Sequence, residues 1–163
     1  MPALSPNAQR VQDALNQLGL NYQVIELSQS TRTAKEAAQA VGCQVGQIVK
    51  TLIFRGQRTG APILVIASGL NRVDESRLTD LAGEPVEKPD ADYVRQHTGF
   101  VIGGVPPLAH SETLRAFLDE DLLQYTVVWA AAGMPNAVFA TSPADIQRMT
   151  HGVWDRIKGE AQR

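Results

Sequence analysis

The most constraining stretch of the chain is Gly42 to Phe54, G-C-Q-V-G-Q-I-V-K-T-L-I-F, where one lysine, Lys50, interrupts an apolar, β-branched run. The stretch reads as a helix end, a tight turn and then a strand. Strand alternation puts Ile48 and Leu52 on the face of Lys50, with Val49 and Thr51 on the other. An ammonium on an apolar face is partly desolvated unless something anionic lies opposite it. Lys50 therefore either snorkels to water from a strand edge or stands in a site. Periodicity leaves both readings open.

The rest of the chain predicts an alternation of helices and strands. Ser5-Pro6 starts a helix that carries Val11, Leu15 and Leu18 at helical spacing and ends at Gly19. A strand is predicted over Tyr22 to Leu27. Thr33-Ala34-Lys35-Glu36 has the capping-box pattern for a helix from Ala34 to Val41, stopped by Gly42. Strands Ile48 to Arg55 and Pro62 to Ser68 flank a hairpin-like loop. Helices follow from about Asp74 to Leu81 and from Asp90 to His97, stopped by Gly83 and Gly99. Phe100-Val101-Ile102, Leu114 to Leu118, Tyr125 to Ala131 and Ala137 to Thr141 read as strands. Ser142-Pro143 opens a helix to Met149, and a terminal helix is predicted from Val153. The expected fold class is α/β (α+β), one domain over residues 1–163 with a mixed, largely antiparallel sheet surrounded by helices.

Few residue groupings could carry chemistry. Gly103-Gly104-Val105-Pro106-Pro107 combines conformational freedom with stiffness, and such a loop can cradle an oxygen on its N–H groups or serve as a rigid connector. No phosphate-loop or dinucleotide spacing accompanies it. His110 is the histidine best placed to reach a site, and Asp119, at a strand end, could order backbone or a substrate amine. Cys43 reads as a packing residue, since no motif supplies it with a base. One cysteine and three histidines in 163 residues make neither a disulfide framework nor a recognisable zinc cluster. A net charge of −2 speaks against indiscriminate polyanion binding and leaves room for a local basic patch. No apolar run reaches the ~20 residues of a membrane span, and no secretory signal is evident at Met1 to Asn7. A cytoplasmic protein is expected.

Taken together, T-A-K-E-A-A (33–38), Q-I-V-K-T-L-I-F (47–54), A-S-G-L-N-R-V-D (67–74), G-F-V-I-G-G-V-P-P-L-A-H (99–110), F-L-D-E-D-L-L (117–123), V-V-W-A-A-A-G (127–133) and V-F-A-T-S-P-A-D-I-Q-R-M-T (138–150) resemble the YbaK/ProXp family. These are relatives of the editing domain of bacterial prolyl-tRNA synthetases. The resemblance implies hydrolysis of the ester that joins a wrong amino acid to tRNA, without metal, cofactor or enzyme nucleophile. It implies that Lys50, Gly103 and Gly104 act at the reacting ester and that Val105, Pro106 and Pro107 help position it. Thr33 and Ser68 are further candidates for the pocket wall, beside His110 and Asp119 as substrate contacts. Cysteine-removing members carry a serine and an aspartate around a segment where this chain has Ala131-Ala132-Gly133 and Val138, which implies a small apolar residue such as alanine. The expected partner is the acceptor end of mischarged tRNA, aided by a synthetase or elongation factor, with neither DNA nor a membrane. The alternative reading is a non-catalytic module that binds aminoacyl-tRNA or a synthetase.

Overall fold

A computed structural model describes residues 3–159. Helix α1 (Pro6–Gln17) begins with proline in its first turn and buries Ala8, Val11 and Leu15. Strand β1 (Ile25–Glu26) is short. Helix α2 (Ala34–Val41) has the full capping box at Thr33 and Glu36 and ends on Gly42 at φ 76°. A cap of this kind is worth about 1 kcal/mol. Strands β2 (Val49–Gly56) and β3 (Pro62–Ser68) form an antiparallel hairpin in which Lys50 lies opposite Ala67. Helix α3 (Glu75–Ala82), strand β4 (Val86–Glu87) and helix α4 (Ala91–Thr98) follow. The chain closes with β5 (Arg115–Asp119), β6 (Val128–Ala131), β7 (Ala137–Thr141), α5 (Pro143–Thr150) and β8 (Val153–Asp155).

The strands make two sheets, β4-β2-β3-β5-β8 and β1-β7-β6. Pairing is antiparallel except for β5, which lies parallel to both β3 and β8. A parallel bridge from Ile48 to Trp129 is where the two sheets meet. Alternation along β2 sorts its side chains between two cores. Val49 and Ile53 join Leu64, Ile66 and Leu118 in the principal core. Leu52 and Phe54 join Val65, Leu78 and Phe117 beneath α3, and Lys50 shares their face. Phe100 and Phe139 are buried outright, each contributing about 1.5–3 kcal/mol from area removed from water.

Three predicted elements differ. The strand over Tyr22 to Leu27 shrinks to two residues because the Gln12 side chain of α1 takes its hydrogen bonds, donating to Tyr22 O at 2.9 Å and accepting from Val24 N at 2.9 Å. Phe100 to Ile102 are not a strand but lead into a turn over residues 101–104, closed by Gly104 N–H donating to Val101 O at 3.0 Å. The terminal helix is replaced by β8, which adds to the sheet edge at Phe117 to Asp119. Its Asp155 also receives the Arg77 guanidinium of α3 at 2.5 Å. No helix among the described residues is long and apolar enough to cross a membrane.

Candidate active site

One side of β2 is paired with β3 along its length, but the other is covered only at its ends. Arg55 and Gly56 pair with β4, and Ile48 bridges to Trp129. Among the described residues no strand pairs with residues 49–54 on that side, and a cavity of about 540 Å³ opens there. Its walls are the edge of β2, the start of α2 with Thr33, Ala34 and Ala37, and the loop residues Gly103 and Val105. Trp129, Ala131 and Val138 of the β6–β7 hairpin close the far side. Ala131 and Val138 are direct cross-strand partners, so the two positions that lack a polar pair lie side by side on one wall. Arg32, Arg72 and Lys88 also line the cavity, which makes it cationic in a protein of net charge −2.

Lys50 lies half-buried on this lining, and its Nζ donates to the backbone carbonyl of Asn71. Burial pulls its pKa below the usual lysine value, Asp119 pulls it back up, and Arg72 lowers it. The neighbouring Thr51 hydroxyl is buried, with no hydrogen-bond partner among the described residues.

The glycine–proline loop is pinned from behind. Gly103 adopts φ 92°, with the Arg32 side chain 3.0 Å from where a Cβ would stand. Gly104 is pressed against the next loop, where a Cβ would lie 3.0 Å from Met134 N, and its carbonyl accepts from Gly133 N–H at 2.8 Å. Among the described residues nothing accepts the N–H of Gly103 or Val105, the two loop residues that face the cavity.

Several sequence-selected residues lie elsewhere. Gly104, Pro106, Pro107, His110, Ser68 and Asp119 are outside the cavity lining. The Ser68 hydroxyl donates to Gly46 O at 2.7 Å. Asp119 is 1% exposed and accepts from the N–H groups of Ser68 (2.9 Å) and Asp121 (3.0 Å). His110 reaches Pro106 O at 2.6 Å and fronts a separate cavity of about 250 Å³ with Met149 and His151. Thr33 is on the wall, but its hydroxyl is engaged with Glu36 in the helix cap. Cys43 is outside, its thiol pKa pushed up by burial. Among the described residues no group of three or more His, Cys, Asp or Glu could hold a metal ion. Sequence reasoning passed over Arg32 and Lys88, which stand in polar stretches with no periodic signal.

A family model for the aminoacyl-tRNA editing domain matches residues 28–149. The chain belongs to the aminoacyl-tRNA editing domain family. The matched span includes every residue named above as lining the 540 Å³ cavity. Among solved structures, the chain is similar to one described as "a putative trans-editing enzyme for prolyl tRNA synthetase", with 49% identity and a TM-score of 0.91 over 96% of this chain and 99% of that one. Two relatives are less similar in sequence. The "Uncharacterized protein YwhH" of Bacillus subtilis is 28% identical over 80% of this chain and 83% of its own length. The "Putative Cys-tRNA(Pro)/Cys-tRNA(Cys) deacylase EbsC" of Enterococcus faecalis is 27% identical over 80% of this chain and 79% of its own.

Proposed function

We propose that this editing-domain protein acts in trans as an aminoacyl-tRNA deacylase, hydrolysing the ester of tRNA mischarged with a small apolar amino acid such as alanine, with tRNA-Pro as the favoured carrier. The observation that carries this reading is that Lys50 lines one cavity with Gly103 and Val105, whose N–H groups have no acceptor among the described residues. Positive charge and fixed dipoles are what a carbonyl oxygen needs as negative charge builds on it during ester hydrolysis. The attacking group is a water or a ribose hydroxyl of the substrate, held close by the walls rather than activated by an enzyme nucleophile. At about 540 Å³ the cavity is sized for an aminoacyl group together with part of its nucleoside, since ligand sites span roughly 300–1,000 Å³.

Alanine is favoured over cysteine because the paired Ala131 and Val138 put no polar group on that wall. Discrimination by size alone supplies about 1–3 kcal/mol per methylene, so 2-aminobutyrate is expected to be a slower but measurable substrate. The test is amino-acid release from alanyl-, cysteinyl-, seryl- and 2-aminobutyryl-tRNA. Wild type is expected to prefer alanyl-tRNA, and Lys50→Ala to lose about 10²–10³ in kcat. If wild type and Lys50→Ala hydrolyse the whole panel equally poorly, the deacylase reading fails. Retained tRNA binding would then make the protein a non-catalytic binding module.

A further inference from the structure

Lys50 is aimed by a turn that the buried carboxylate of Asp119 and the part-exposed carboxylate of Asp121 hold in place. Its Nζ donates to the carbonyl of Asn71, and Asn71, 7% exposed, has three of its own donor bonds committed. Its N–H donates to Ser68 O at 2.9 Å. Its side-chain amide donates to Asp119 Oδ2 at 2.8 Å and to Asp121 Oδ2 at 2.8 Å. With the peptide and the amide both held, the Asn71 carbonyl has one direction to point. An amide is the neutral group that can bridge two carboxylates, because its NH₂ carries two donors. Lys158 meets the second carboxylate, its Nζ 2.9 Å from Asp121.

We propose that Asn71 and Asp119 are positioning residues for Lys50. Asn71 fixes where the ammonium points, and Asp119 supplies its counter-charge from behind the turn. The inference rests on the deacylase reading for its kinetic consequence only. Neither residue lines the cavity, and the role assigned to each runs through Lys50. Arg72 opposes Asp119 in acting on Lys50, while Asp121, held by the same Asn71 amide, is paired with Lys158. Without Asp119, the half-buried ammonium would lose the carboxylate that acts on it and keep the opposing Arg72.

The deciding experiment is a titration of Lys50 in full-length protein with ¹³C-labelled lysine, the resonance being assigned by its loss in Lys50→Arg. Asp119→Asn is expected to lower the Lys50 midpoint by about half a pH unit or more. A midpoint within about 0.2 units of wild type overturns the counter-charge role. This readout needs no catalysis, so it stands even if no aminoacyl-tRNA is hydrolysed. Kinetically, Asn71→Ala is expected to lower kcat on alanyl-tRNA about tenfold with KM within about threefold, and wild-type kcat overturns the aiming role. Should Asp119→Asn fail to fold, Asn71→Ala carries the test alone through this split, which a merely structural loss would not produce in a protein that still melts cooperatively.

Discussion

His110 shows how far a residue can lie from the chemistry and still be tied to the loop that serves it. Its Nε2 is 2.6 Å from Pro106 O, and a carbonyl only accepts, so Nε2 carries the proton. Burial pushes the imidazole pKa below its ordinary value near 6.5, with the Pro106 bond pulling weakly the other way. The unfolded chain therefore takes up a proton first as pH falls. Stability from the neutral ring is complete above about pH 6.5 and is lost as pH drops through and below that value. Melting temperatures from pH 7.5 to 5 are expected to fall more steeply for wild type than for His110→Gln, and parallel curves would refute the assignment. Thr51 gives a contrasting case. Its buried hydroxyl has no partner among the described residues, so Thr51→Val is expected to leave the melting temperature unchanged or raise it, since an unsatisfied buried group costs about 1–3 kcal/mol.

Among the elements, the glycine–proline loop is the one whose shape depends most on another loop. A Cβ on Gly104 would lie 3.0–3.1 Å from the backbone of Gly133 and Met134, and neither can move without disturbing the β6–β7 hairpin. Gly104→Ala is expected to cost about 1–3 kcal/mol in chemical denaturation and to lower deacylation by displacing Gly103 and Val105. The elements with local signals were legible in the sequence. Thr33 and Glu36 set the start of α2, and glycines in the left-handed region end α2, α3 and α4. What was not legible depends on partners far away in the chain. Val153–Asp155 is a strand because Phe117–Asp119 lies beside it, and the strand around Tyr22 is short because Gln12 intervenes. The site follows the same division. Lys50 and Gly103 stood out from their immediate neighbours, whereas Arg32, Lys88 and Asn71 acquire meaning only when the cavity and its supporting turn are assembled.

For the whole molecule, a net charge of −2 and a cavity carrying Lys50, Arg32, Arg72 and Lys88 imply that affinity for tRNA is local and salt-sensitive. With about three phosphates neutralised by Arg32, Arg72 and Lys88, the logarithm of tRNA affinity is expected to fall against the logarithm of salt with a slope of about −2 to −3. A slope near zero in a binding titration between low and physiological salt would exclude that contact. The uncovered side of β2 has a consequence beyond catalysis. A strand edge with open hydrogen-bonding groups is a template on which other chains can assemble, and most proteins blunt it with charge, bulges or brevity. Here α2 and the β6–β7 hairpin stand around residues 49–54 and narrow the approach of an incoming strand. The protein keeps the recognition capacity of a free edge while hindering its own copies from using it, and self-association should rise when those walls are loosened.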